Sequence, residues 1–278
     1  WYADTLRQTL AADTRLLEVW DLGQQAIFAD TPTPASVLIC QKSPASADHR
    51  VAIRVGDERR TILQSELGAS PWRLRAKPVS GATRLGDLCD LSQGMQTGCN
   101  SVFAGITDQD RATLGLEADA LRRRAVGLDI QPGQLTDRKR RWAVWTEDRT
   151  QESLPPNVAA WLATHRSRLE ARAAFRRGDC DWFRWSWPRP GQLGRPKLLC
   201  PYRASLNRFC FDASGEVVGL TDTTVLLPRS DMPVHPLELM ARLNDAEHTR
   251  RQLERAKPTG QGLYEYFASQ LQELPVSL

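Results

Sequence analysis

No apolar run in the 278 residues approaches the roughly 18 needed to cross a bilayer, which excludes a membrane-spanning helix. The chain begins at Trp1 rather than Met, and no basic stretch followed by an apolar segment opens it. No secretory leader is read there, and the start is expected to be a cut through a longer protein. Cysteine is sparse and dispersed, at Cys40, Cys89, Cys99, Cys180, Cys200 and Cys210. None forms a Cys-x-x-Cys pair and the four histidines are scattered, so no metal site is expected. Scattered cysteines in a chain of this size read as reduced, which points to the cytoplasm. No glycine loop runs into Lys-Ser or Lys-Thr, so a Walker-type nucleotide site is excluded. The absence of repeats and low-complexity tracts excludes collagen, coiled-coil arrays and bulk disorder.

What remains is a folding composition. Hydrophobic residues make up 41% and charged residues 25%, enough for a sizeable core, and the length suits about two domains. Basic residues number 37 against 33 acidic, a net charge of +4, and they are mostly arginine. The planar arginine fork matches phosphates and guanine edges, so the excess leans toward an anionic partner. A solvated arginine-rich surface has the same composition.

Residues 1–80 read as the tail of an α/β sheet. Asp4 to Ala11 suits a helix with Leu6 and Leu10 inward. Leu16–Leu22 and Ser36–Cys40 read as buried strands, and Val51–Val55 alternates like a half-exposed edge. Three strands alone make a poor core, so earlier strands are expected before Trp1. The connection from Gly23 to Pro34 carries a lone aromatic, Phe28, where open α/β sheets place ligand crevices. A plug at the sheet end is the simpler reading of Phe28.

A linker is expected at Lys77–Gly81, and residues 81–278 read as a second, α+β domain. Gly94-Met95-Gln96-Thr97-Gly98-Cys99-Asn100 brackets polar residues between glycines, a loop that can present amides, Gln96, Thr97, Gly98 and Asn100 to a phosphate backbone. It also suits an ordinary turn. From Val158, with Asn157 as N-cap, a helical stripe runs to Gly178 as the residue past its end. Arg168, Arg172 and Arg176 are spaced four apart on it and should share one face. Such a ridge suits a phosphate strand or solvent alike. Asp181–Pro190 interleaves tryptophan, phenylalanine and arginine, suiting either base stacking or an aromatic cluster, and partial burial is expected. Arg195 and Lys197 enter a strand that begins a β-meander ending at Leu227, and Leu237–Leu243 is a short helix closed by Asn244.

The order of these motifs resembles the carboxy-terminal part of adenine-specific DNA methyltransferases, the TaqI-like enzymes and the type IIG restriction–modification proteins that share their recognition domain. Ile27-Phe28 and Ile39-Cys40-Gln41-Lys42 resemble late catalytic-domain strands. Gly94–Asn100 with Phe103 resembles the loop opening the recognition domain, and Gly127-Leu128-Asp129-Ile130 a following turn. Leu169-Glu170-Ala171-Arg172, Trp182-Phe183 and Pro196-Lys197 resemble a central block, and Leu243-Asn244, Gly262–Tyr266 and Leu274-Pro275 a closing one.

The resemblance implies the tail of a Rossmann-like methyltransferase sheet over 1–80 and a target-recognition domain over 81–278. It implies a monomer that flips adenine from double-stranded DNA and methylates its amino group from S-adenosylmethionine, the flipped base being held against an aromatic face. Phe28 matches the family's stacking residue in position. Arg168, Arg172, Arg176, Arg195 and Lys197 are the expected phosphate contacts, and Gln96, Thr97, Gly98 and Asn100 the DNA-facing loop. The family's Asn-Pro-Pro-Tyr-type motif and its glycine-containing cofactor motif occur nowhere in this chain. No catalytic residue is therefore expected here, and the isolated chain is expected neither to bind the cofactor nor to methylate. A stand-alone DNA-specificity subunit and a non-DNA interaction module are the alternatives.

Overall fold

The computed structural model describes residues 2–23, 27–28, 35–69, 72–75, 79–136 and 140–278. Most of the Gly23–Pro34 connection, and Lys77 and Pro78 of the linker, lie outside the described residues. The structure is of the mixed α/β class and divides into two compact units. The first is Trp1–Val79 with Leu253–Glu265, and the second Ser80–Gln252 with Tyr266–Leu278. The return of the chain to the first unit at Leu253 has no counterpart in the two consecutive domains expected from the sequence.

In the first unit, helix α1 (Tyr2–Asp13) precedes strands β1 (Arg15–Asp21), β2 (Ser36–Gln41), β3 (Arg50–Val55) and β4 (Glu58–Leu63). Their order in the sheet is β2-β1-β3-β4, with β1 and β3 parallel and the other pairs antiparallel. Leu16, Val19, Val51 and Ile53 form its small core. The buried Gln64 carboxamide ties α1 to β1, donating to Ala11 O and Thr14 O (2.8 and 2.6 Å) and accepting from Leu16 N (2.9 Å).

Three expectations change here. Leu6 is 56% exposed rather than inward. β3 is an inner strand, because β4 pairs along it and takes the edge. β2, apolar enough to read as buried, is exposed along its whole length at the other edge.

Among the described residues the second unit holds two sheets of three or more strands. In one, β5 (Cys89–Gln93), β8 (Lys197–Pro201), β9 (Cys210–Asp212) and β11 (Thr223–Pro228) lie in the order β9-β8-β11-β5, all antiparallel. In the other, β6 (Leu121–Ala125) pairs antiparallel with β7 (Trp142–Val144) and parallel with β10 (Val218–Gly219). The expected meander is therefore split, because Val218–Gly219 leaves its neighbours to close the second sheet.

The expected single helix after Val158 is three pieces: α2 (Pro156–Thr164), α3 (Arg166–Glu170) and α4 (Ala173–Arg177). Asn157 is not the N-cap. Pro155 takes that position, and the Glu117 carboxylate accepts from the Asn157 and Val158 amides (2.9 and 3.1 Å), where an anion suits a helix start. Gly178 closes α4 in the left-handed conformation (φ +80°), as expected.

The core of this unit is aromatic. Trp185 is fully buried, edge-on to Trp145 and Phe103 at centroid distances of 5.2 and 6.4 Å. Its indole N–H donates to Val144 O (2.9 Å), so the ring is buried without an orphaned donor. Leu162, Leu169, Met95 and Val218 belong to the same buried cluster. Burial pushes the Cys89 and Cys210 thiols up to about 12, which leaves them inert.

Candidate nucleic-acid interface

The glycine-bracketed loop is a junction rather than an open cradle. Its amides are spent internally: Gly94 N donates to Thr223 O (3.0 Å), Met95 N to Gly219 O (2.8 Å) and Gln96 N to Trp187 O (3.1 Å). A Cβ on Gly94 would stand 2.1 Å from Leu220 O, so the glycine is there for close backbone approach. Gly98 has φ +74°, and a Cβ on it would meet Ser186 Oγ at 2.0 Å. Thr97 is fully buried, with its hydroxyl donating to Asn100 Oδ1 (2.6 Å) and accepting from Cys99 N (3.0 Å). Presentation of these amides and of Thr97 to DNA is thereby corrected, whereas Gln96, Gly98 and Asn100 are exposed.

Arg172 is the second correction. The backbone leaves the helical conformation there (φ −63°, ψ 140°), so Arg168, Arg172 and Arg176 do not share one helix face. Arg172 is 8% exposed. Its guanidinium makes five bonds to carbonyls: Leu169 O (2.8 Å), Thr97 O (2.9 Å), Arg184 O (2.8 Å), Asp181 O (3.2 Å) and Trp182 O (2.8 Å). All five N–H donors of the fork are thereby satisfied. The group joins the 94–100 loop to the 181–187 segment and cannot reach a phosphate.

Lys197 is likewise fully buried, ion-paired to Asp212 at 3.1 Å and donating to Gln192 O and Gly215 O (2.9 and 2.6 Å). It positions the loops on either side of Arg195 and is not a DNA contact.

The remaining arginines are placed differently. Arg168, Arg176 and Arg195 are exposed, and none has an ion-pair or hydrogen-bond partner for its side chain among the described residues. Their neighbours are neutralised: Arg166 by Glu170 (2.7 Å) and Arg177 by Asp179 (2.7 Å). The aromatic segment divides as well. Trp182, Phe183 and Trp185 are buried, Arg184 bonds Glu147 O and Arg149 O (3.0 and 2.9 Å), and Trp187 alone of its aromatics is exposed, at 61%.

Two clefts are formed by the described residues of the separate units. One in the first unit, of about 200 Å³, is lined by Glu18, Trp20, Arg54 and Arg59, and Arg54 lies 5.1 Å over the Trp20 ring. The other, of about 450 Å³ in the second unit, has Trp145 almost wholly buried in its wall, and the Glu147 carboxylate accepts from Trp185 N (2.6 Å). Burial pushes the Glu147 carboxyl above its ordinary value. Among the described residues no group of three or more His, Cys, Asp or Glu is placed to hold a metal, and no helix is long and apolar enough to cross a membrane.

Phe28, in the first unit, is 56% exposed, and the residues flanking Ile27–Phe28 lie outside the described residues.

No protein-family model matches the sequence, and no curated protein does. Solved structures do. The type IIL restriction–modification enzyme MmeI, solved in complex with DNA, aligns over 94% of this chain with a TM-score of 0.57 at 14% identity. The two share a fold. This chain spans 35% of the MmeI chain. The type IIG restriction endonuclease BpuSI aligns over 99% of this chain at 10% identity and a TM-score of 0.46, too loose a match to argue from.

Proposed function

We propose that this chain is the target-recognition part of a site-specific adenine DNA methyltransferase in a restriction–modification system, binding duplex DNA through its second unit. The observation that carries this reading is the trio Arg168, Arg176 and Arg195. Each is held in solvent without a carboxylate while adjacent arginines are paired, which leaves cationic forks free for phosphates. The MmeI-like fold supports it, since that enzyme was captured on DNA. In this reading Gln96 and Asn100 face the duplex, and Phe28 stacks on the flipped adenine. The methyl donor, S-adenosylmethionine, is held by parts of the parent protein outside this sequence. The protein works as a cytoplasmic monomer.

Duplex binding measured across a salt series tests the proposal. The log–log slope should be steep, and replacing Arg168, Arg176 and Arg195 together by Ala should flatten it by about 0.9 for each phosphate no longer neutralised. Melting should barely move, because exposed residues without partners change stability within about 0.5 kcal/mol. A flat salt profile in the unaltered chain would overturn the reading in favour of a non-DNA interaction module. Incubation of the chain with labelled S-adenosylmethionine and varied duplexes is expected to give no methyl transfer. Transfer would show that the chemistry resides here after all, without the Asn-Pro-Pro-Tyr-type motif.

A further inference from the structure

Two sequence motifs about ninety positions apart meet at one point. Gln96 and Trp187 form an isolated antiparallel bridge, in which Gln96 N donates to Trp187 O (3.1 Å) and Trp187 N to Gln96 O (2.8 Å). Residues that exchange both bonds are direct cross-strand partners, and their side chains stand on the same face. Both side chains are exposed. Neither the Gln96 carboxamide nor the Trp187 indole N–H has a protein partner among the described residues. Every other aromatic of the 181–190 segment is buried, so the exposure of Trp187 is not a property of the segment.

The mount is rigid. Arg172 bonds Thr97 O and Arg184 O and so holds both strands of the bridge from beneath. Gly98 permits the close approach of Ser186, and Pro188, which has no N–H, stops the ladder at Trp187.

We propose that Trp187 and Gln96 form a seat for a single unstacked nucleobase, the indole face stacking on the base and the carboxamide hydrogen-bonding its edge. The inference rests on the DNA-recognition reading and adds a site to it, separate from Phe28, which belongs to the first unit. An indole offers a large rigid π-face, and every base can stack on it. A glutamine carboxamide carries one donor group and one acceptor, the complement of an adenine edge. A protein partner is the less favoured occupant, because the exposed arginines without a carboxylate, Arg168, Arg176 and Arg195, are suited to phosphate.

The test compares the chain's affinity for a fully paired duplex, the same duplex with one bulged adenine, and the same duplex with an abasic bulge. The unaltered chain should favour the adenine bulge by on the order of tenfold over both others. Trp187→Ala should abolish that preference and leave the salt slope unchanged, since the indole neutralises no phosphate, while Trp187→Phe should keep part of it. Gln96→Ala should keep the adenine-bulge preference over the abasic bulge but shrink it, since stacking remains and the edge hydrogen bonds are lost. Equal affinity of the unaltered chain for all three, or a preference that survives in Trp187→Ala, overturns the seat. In either case a steep salt slope leaves the DNA reading standing. Absence of duplex binding at low salt overturns both.

Discussion

Arg172→Ala is expected to lower the stability of the second unit by on the order of 4 kcal/mol, read as a fall in melting temperature of roughly 10 °C. The substitution removes a guanidinium whose five N–H groups reach five carbonyls between 2.8 and 3.2 Å. An orphaned buried polar group costs about 1–3 kcal/mol, and relaxation of the loop and entry of water offset part of the sum. A further loss comes from Phe103, over whose ring the guanidinium carbon lies at 5.3 Å. Arg172→Lys keeps the charge but has three donors on one nitrogen, which cannot span the forked set of carbonyls, so about half the loss should remain. Arg168→Ala and Arg176→Ala should melt with the unaltered chain. If Arg172→Ala melted normally and lost only DNA affinity, the buried-staple account would be wrong and the phosphate role restored.

The same residue shows where sequence reading ran out. Residues 158–177 are rich in Ala and Arg, and nothing local marks a break at Ala171–Arg172. The break is set by the carbonyls of residues 97, 181, 182 and 184, all outside the helical stretch, so a tertiary demand overrides a local preference. Gly178 needed no such partner: a glycine after two arginines at a helix end carries its own instruction, and it was legible. The glycines of the 94–98 loop carry a signal for close approach that does not say what approaches. Backbone came there, not phosphate. β2 shows the converse. Ser36-Val37-Leu38-Ile39-Cys40 records what a strand is able to bury, and burial depends on a covering that the strand does not encode. The Gln96–Trp187 bridge had no sequence signal, since no periodicity links positions so far apart. Of the candidate site, what remained legible was chemistry type: arginine forks, amides and an indole in the second unit.

Asp212→Asn is expected to cost about 3–5 kcal/mol near neutral pH, and the cost should shrink as the pH is raised. Lys197 is fully buried, and burial already lowers its pKa from the ordinary value against the pull of Asp212. Removing the carboxylate leaves a buried ammonium held by two carbonyls, Gln192 O and Gly215 O. That ammonium is less stable folded than unfolded, so its pKa falls further. A lysine whose folded pKa lies below its unfolded value burdens the fold fully below the folded pKa. The burden lifts as the pH rises from there toward the unfolded value of 10.5. The unaltered chain should show the opposite sensitivity at the acid end. Burial raises the Asp212 carboxyl, but bonds from Ser214 Oγ (2.6 Å), Val217 N (3.0 Å) and Lys197 (3.1 Å) outweigh it and bring the pKa below 3.8. Its stabilisation is present above the unfolded value and is lost as the pH falls through the folded one. Lys197→Met should cost less than Asp212→Asn, because Asp212 keeps two of its donors while Met fills the space of the lysine stem. Melting curves of the three proteins from acid to alkaline pH decide the matter. An Asp212→Asn loss that stays constant across that range would mean that Lys197 remains charged without its partner, and that Asp212 acts through loop geometry rather than charge. Arg195 lies between Gly194, whose amide donates to Gly215 O at 3.2 Å, and the strand that Lys197 opens. On the proposed reading, the same variants should therefore blunt the contribution of Arg195 to duplex affinity, tying the buried pair to the proposed DNA-facing surface through backbone alone.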